Sequence, residues 1–464
     1  YMVSTTMHFM PGCEILQSFD LVHWEHVTYV YETLDHTDAQ QLKSGQNIYG
    51  QGMWAASLRY HEGRFCICFV ANDTRKTYLY TSEKIDGPWK KQLIEGFYHD
   101  GSLLFDEDGR NYIVYGNDEI WITELNEDLT APKKDGLHRL LVSDHKNPEL
   151  GYEGSHIQKI NGYYYIFLVH SLRDRWMRTE ACFYSDSLEG EFTGGDVLCD
   201  DRGYCGQGVA QGGIVDTPDG KWYAMLFQDS GAVGRIPILL PVTWKDHFPF
   251  FGQNGHVPEE IEVHSTRPGY IYQPLVGSDD FCNGLLPRWQ FNHDPDPRYY
   301  HLDALQGTYT ITTREVCTEL TQAVNTLTQR MSYPSCAAEV TVDASALKEG
   351  DVAGLCALQS CYAAVGITKH HGKYEVLMLD KKEDGILDMT EGTVVESHQM
   401  DFRLEADFCN MKDEARCYYR VNKGDWLPIG TVHKLYFKLD HFTGCRFGLF
   451  CYAAEETGGS ACFR

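Results

Sequence analysis

The chain has 464 residues and carries 40 Lys and Arg against 66 Asp and Glu, a formal net charge of −26. That balance argues against nucleic acid or an anionic membrane as partner, since both need a basic face, and it disfavours acidic polysaccharides. No apolar run approaches the roughly 20 residues of a membrane-spanning helix.

The chain begins inside an apolar run, "YMVSTTMHFMPG", with no turn ahead of it. "SFDLVHWE" at Ser18 follows, and "SEKIDGPWK" at Ser82 and "SDSLEGEF" at Ser185 resemble it. A Ser start, a small turn and a closing aromatic read as outer-strand turns, with Trp24, Trp89 and Phe192 as scaffold. Residues 32 to 53 and 130 to 150 are polar connections placed to wall a channel mouth. Sixteen cysteines are scattered without a CxxC pair, and no HExxH occurs. They read as reduced, buried thiols rather than a disulfide framework or zinc site, which gives an expected cytoplasmic location.

Four segments share one layout, a turn glycine followed by an apolar, aromatic run: "HEGRFCICFVAND" at Gly63, "DEDGRNYIVYGND" at Gly109, "INGYYYIFLVH" at Gly162 and "PDGKWYAMLFQD" at Gly220. The glycines are 46, 53 and 58 residues apart, a period that suits propeller blades rather than helical solenoids. Each unit reads as strand, tight turn, strand. Nine residues before each glycine stand Trp54, Asp100, Glu153 and Gln211. In a propeller the inner strands line one channel, so these four side chains are expected around a common pocket. Tyr1-Met2-Val3 matches Tyr223-Ala224-Met225. The first unit is therefore expected to start at its second strand, with its channel position about 12 residues ahead of Tyr1.

The repeat ends near residue 250, and 251–278 read as an irregular connector. From 279 to 464, runs such as "GTYTITT", "CAAEVTVDA", "AGLCALQ", "YAAVGITK", "KYEVLML", "KLYFKLD" and "CRFGLFCY" alternate with Gly, Asp and Asn turns. About ten short strands of this kind predict a β-sandwich. The expected fold is all-β: a five-bladed propeller over 1–250, its first strand missing, followed by a sandwich over 279–464. An exposed sandwich edge would suit a homo-oligomer.

Two carboxylates presented to one cavity suit cleavage of an acetal, which needs an acid at the leaving oxygen and negative charge around an oxocarbenium-like transition state. Glu153, beside an aromatic strand, is expected to be raised in pKa by desolvation and to serve as the acid; Asp100 would orient it and tune it by like-charge repulsion. The structural alternatives are a turn cap for Asp100 and an ion pair of Glu153 with Arg173 or Arg175. Trp54 is read as a sugar platform, Arg235 as a buried cation needing Glu153, Asp100 or a sugar hydroxyl as partner, and His156 as a brace for its turn.

The motifs "STTMHFMPG", "MWAASLRYHEG", "HDGSLLFDEDGRNYIVYG", "YEGSHIQKINGYYYIF", "QGGIVDTPDGKWYAMLFQ" and "DDF…LPRWQFNHDPD" together resemble glycoside hydrolase family 43 over nearly the whole chain. The resemblance implies a five-bladed propeller with a sandwich of the xylosidase and arabinofuranosidase type. It implies inverting hydrolysis of arabinose- and xylose-containing glycans, with Glu153 as general acid, Asp100 as pKa modulator and Trp54 and Arg235 as sugar contacts. His8 and Phe9 match a family segment near the sugar. The family's base Asp falls ahead of Tyr1, and neither Asp20 nor Asp35 belongs to the right segment. No organic cofactor is implied. The family often holds a calcium ion near the channel axis, with a His where this chain has Gln211, whose carbonyl oxygen is a hard donor. Two alternatives stay open: a fructan-cleaving enzyme, whose "RDP" and "EC" signatures are replaced here by "HDG" and "YEG", and a non-catalytic sugar-binding propeller.

Overall fold

A computed structural model describes residues 1–464. Five small antiparallel sheets follow one another along the first half of the chain. Blade 1 holds Met2–Ser4, Gly12–Gln17 and Glu25–Tyr31; blade 2 holds Met53–His61, Arg64–Ala71, Lys76–Ser82 and Lys90–Ile94. Blade 3 is built from Ser102–Phe105, Asn111–Asn117, Glu119–Leu125 and His138–Ser143, and blade 4 from Glu153–Ile160, Tyr163–Ser171, Arg178–Ser185 and Thr193–Leu198. Blade 5 comprises Ala210–Asp216, Trp222–Asp229, Arg235–Lys245 and Phe248–Phe251. The architecture is a five-bladed β-propeller.

The turn glycines do what their spacing predicts. Gly63, Gly109, Gly162 and Gly220 have φ between 79° and 88°, a left-handed conformation that costs other residues energy. The segments at Ser18, Ser82 and Ser185 join the third strand of a blade to its fourth. This fixes the three strands of blade 1 as the second, third and fourth, with nothing paired to the inner edge of Met2–Ser4.

The second half is a β-sandwich of two antiparallel sheets, packed over a core that includes Tyr309, Leu355, Phe402 and Phe463. Its first strand is Gln290–Asn292. Phe9–Met10, in the connection between two strands of blade 1, pairs with that strand and joins the nine-stranded sheet. The propeller thus lends a strand to the sandwich, which ties the domains through backbone hydrogen bonds.

The cysteines are all free thiols; Cys66 and Cys68 are buried as small apolar residues on one face of their strand, whereas Cys199, Cys205, Cys282 and Cys409 are exposed, so the expected burial does not extend to all sixteen. No helix is long and apolar enough to cross a membrane. A cavity of about 560 Å³ opens between the sandwich sheets beside Trp289 and contains none of the propeller residues singled out above.

Candidate active site

The inner strands of blades 2, 4 and 5 each slip register at the same place: between Met53 and Ala56, between Glu153 and His156, and between Ala210 and Gly213. A bulge of this kind re-aims a side chain. Trp54, Glu153 and Gln211 each fall on or inside one, which is the physical content of their shared count from the turn glycine. Asp100 stands two residues ahead of its strand with φ of 48°, a left-handed conformation uncommon outside glycine, though Asp tolerates it. Gly154 must be glycine: its φ is 68°, and a Cβ would meet Gln211 Cγ at 2.7 Å.

These irregular starts bring His99, Asp100 and Glu153 together, with one nitrogen or oxygen of each within 4.8 Å of the others. His99 Nε2 is 3.8 Å from Asp100 Oδ2 and 3.8 Å from Glu153 Oε2. The Asp100 side chain is 6% exposed, and its Oδ2 accepts the Gly154 N–H at 3.1 Å. Glu153 Oε2 accepts a hydrogen bond from Asn117 Nδ2 at 2.8 Å.

Burial pushes the Asp100 carboxyl above its ordinary range. Burial pushes Glu153 upward too, but the contact with His99 and the charges of Arg178, His99 and Arg235 outweigh it, and the net direction is down. That corrects the expectation that desolvation alone raises Glu153: three cations face it. His99 is held above its ordinary value, the two carboxylates overcoming the effect of its burial.

Asp229, at the end of the second strand of blade 5, anchors two of those cations. Arg178 Nε donates to its Oδ2 at 3.0 Å and Arg235 Nε to its Oδ1 at 3.2 Å. The Arg235 guanidinium lies between two rings, 4.4 Å from Phe227 and 4.2 Å from Phe442. Phe442 comes from the sandwich. Trp54, half-buried, meets it edge-on at 5.3 Å and stands 6.4 Å from the His99 ring. Trp54, Asp100, Glu153 and Arg235 therefore surround one place. Arg235 binds neither carboxylate directly; Asp229 is its partner.

Other expected residues stand elsewhere. His8 and Phe9, expected at the sugar, are 0% and 2% exposed in the joint between the domains. His8 Nε2 contacts Asn292 Oδ1 at 3.0 Å, and its Nδ1 accepts the Gly50 N–H at 3.1 Å. The strand pairing of Phe9 with Asn292 is what holds them there. Arg173 is bound to Asp144 and Arg175 to Asp174, so neither pairs with Glu153. His156 Nδ1 lies where a side chain at Gly213 would stand, bracing blade 4 against blade 5.

Gln211 has its backbone N–H on Glu180 Oε2 at 2.7 Å. Gln211 Oε1 and Glu180 Oε1 are both buried without a hydrogen-bond partner. Burial without a cation holds the Glu180 carboxyl well above its ordinary range. Two unpartnered hard oxygens fit calcium in kind.

His99, Asn117, Arg178, Asp229, Phe227 and Phe442 do not stand out in the sequence. One signal is available: nine residues after the turn glycines stand Asn72, Asp118, Ser171 and Asp229, a polar row that reaches Asp229 and misses Asn117 by one. Arg178 follows a loop, and Phe442 belongs to another domain.

Residues 1–249 match the family described as glycosyl hydrolases family 43, and residues 278–464 match the beta xylosidase C-terminal concanavalin A-like domain. A beta-xylosidase of Formosa agariphila is 25% identical over 99% of this chain and 85% of its own length. A non-reducing end alpha-L-arabinofuranosidase of Bacteroides ovatus is 23% identical over 84% of this chain and 76% of its own. Among solved structures, a bifunctional GH43-CE protein of Bacteroides eggerthii is 41% identical with a TM-score of 0.92; this chain is covered entirely and spans 60% of that protein. A propeller with paired carboxyls under arginines, the attached sandwich, and a match over more than half the residues give one conclusion: the chain belongs to glycosyl hydrolase family 43.

Proposed function

We propose that the protein is an inverting exo-glycosidase that removes terminal α-L-arabinofuranosyl or β-D-xylosyl residues from hemicellulose-derived glycans, with Glu153 as general acid and Asp100 as its modulator. The carrying observation is the close pair of carboxyls, one buried and one half-buried. Two carboxyls so near oppose each other's ionisation, so they lose their protons in two steps and share the last one. Asp100 is buried and tied to Gly154, which suits tuning rather than attack on a sugar. Glu153, the more exposed of the two, delivers the proton to the leaving oxygen.

Inversion needs a further carboxylate to activate water, about 6.5–9.5 Å from the acid, which is farther than Asp100 stands. Asp20 is engaged within its own turn and Asp35 with Lys76 and Lys91. The place in the fold for that carboxylate is beside the open inner edge of Met2–Ser4. Arg235, Trp54 and Phe442 hold the cleaved sugar. Gln211 and Glu180 would hold a calcium ion, as fixed structural charge that stabilises the channel.

The test is nitrophenol release from the α-L-arabinofuranoside and the β-D-xyloside, by this chain and by a version extended by one strand ahead of Tyr1. The expected result is activity in the extended form alone, abolished by Glu153→Gln and greatly reduced by Asp100→Asn. Equal activity in both forms refutes the placement of the base. Failure of both forms on every arabinosyl and xylosyl substrate refutes the hydrolase assignment.

A further inference from the structure

We propose that Trp176 is the platform for the first sugar on the leaving-group side of the scissile bond, a neutral sugar ring of the glycan chain stacked on its exposed indole. This assignment rests on the glycosidase reading above. Of the nine tryptophans, Trp176 alone is exposed, at 41%. A lone exposed ring is ordinary on a protein surface, so its position decides the matter.

In blade 4, Glu153 pairs with Val169 and Ser171 pairs with Arg178. The turn from Leu172 to Met177 therefore rises at the end of the blade where Glu153 stands. That turn is pinned: the Leu172 N–H donates to Met177 O at 3.1 Å, and Arg173 binds Asp144 and donates from Nη1 to Lys146 O at 3.3 Å. The Arg178 guanidinium lies 5.3 Å from the centre of the Trp176 ring. The same guanidinium is bound to Asp229 and helps hold the charge on Glu153. A buried cation thus connects the indole to the reacting group, and it favours the ring face it meets.

Direction follows from the acid. Glu153 protonates the leaving oxygen, so the departing sugar begins at blade 4. Trp54 belongs to blade 2, Arg235 to blade 5 and Phe442 to the sandwich; they bound the cleaved sugar on the other sides. The glycan leaves over blade 4, and Trp176 is the aromatic surface it meets there. An indole gives a sugar a broad, rigid contact at little conformational cost.

The test is calorimetric titration of xylotetraose, arabinotetraose and free xylose into the Glu153→Gln protein, with Trp176→Ala and Trp176→Phe added on that background. In Trp176→Ala the ratio of tetrasaccharide to xylose affinity is expected to fall about three- to tenfold, and Trp176→Phe is expected to recover most of it. An unchanged ratio in Trp176→Ala overturns the platform, as does an equal loss of both affinities. If the protein with Trp176 intact binds neither tetrasaccharide, the glycosidase reading fails and the platform fails with it.

Discussion

Replacing His99 and Asp100 one at a time moves the proton on Glu153 in opposite directions. His99 Nε2 stands 3.8 Å from Glu153 Oε2, and two unit charges about 4 Å apart interact by about 4 kcal/mol at an effective dielectric of about 20. One pKa unit is about 1.36 kcal/mol, so a fully charged His99 would be worth about three units. His99 is partly solvated and titrates itself, which reduces the expected change to about one to two units. Its charge and close contact hold Glu153 down, so His99→Gln raises the pKa. A general acid works protonated, and kcat/KM declines as pH rises through the loss of the last proton of the pair. The descending limb should therefore move up by about one to two pH units in His99→Gln. Asp100 has the opposite sign, since its charge opposes loss of that proton; Asp100→Asn should move the limb down by about one unit, while the Asn oxygen still accepts the Gly154 N–H. Arg178, Arg235 and the Asn117 hydrogen bond remain in both variants. The assay is kcat/KM against pH on the two nitrophenyl glycosides, in a protein whose first blade has all four strands. Limbs that move the same way in both variants, or do not move, show that Glu153 is not the titrating acid.

Phe9→Ala should destabilise the protein by about 3–5 kcal/mol, because a buried ring is lost from the domain joint; a raised KM at unchanged Tm would instead restore Phe9 as a sugar contact. Arg235→Lys should lower kcat/KM by about ten- to a hundredfold, since an ammonium cannot lie flat between Phe227 and Phe442. Phe442→Ala should then cost about 1 kcal/mol less when combined with Arg235→Lys than when made alone; additive losses would separate the two residues. Arg446 is 0% exposed, with Nε and Nη2 lacking partners, and burial lowers its pKa to about 9. Arg446→Met should leave stability unchanged or raise it by about 1–2 kcal/mol, measured as Tm; a loss above about 3 kcal/mol would show that the buried charge is required.

The propeller and its register are legible because the hairpin turns need left-handed backbone, which makes glycine a marker at Gly63, Gly109, Gly162 and Gly220. A count from those markers reaches Trp54, Glu153 and Gln211 because a bulge recurs at the same place in the inner strands of blades 2, 4 and 5, and it reaches Asp100 at the left-handed residue just ahead of the inner strand of blade 3. The same count has no access to Arg178, which follows a loop peculiar to blade 4. His138–Ser143 reads as loop, since the strand lies at the edge of blade 3 with much of its surface exposed. Sequence misplaces His8 because its neighbour Phe9 pairs with Asn292, a partner 283 residues away that leaves no local trace. The net pKa direction of Glu153 is equally hidden, because it depends on cations from blades 4 and 5 and on His99 of blade 3.

The expected strand "KLYFKLD" fails for a reason that bears on function. The strand Leu427–Lys434 ends at its first residue, and Leu439–His441 forms a short 3-10 turn instead. That turn carries Phe442 onto the Arg235 guanidinium and the edge of Trp54. The approach is close: a Cβ on Gly234 would meet Gly444 N at 2.7 Å, and one on Gly444 would meet Val233 O at 2.1 Å. Cys445 N donates to Ala232 O at 2.8 Å, and Ala232 packs into the sandwich core. Backbone therefore lies on backbone within a few residues of Arg235, and side chains larger than hydrogen at either glycine would push Phe442 away from the site. A strand through residues 434–440 would satisfy local β-propensity and carry that ring elsewhere. The sandwich gives up regular structure there and in return closes the pocket of the propeller with an aromatic wall. The two domains are thus one functional unit, since the cation that faces Glu153 and Asp100 is held by Asp229 and Phe227 from one and by Phe442 from the other.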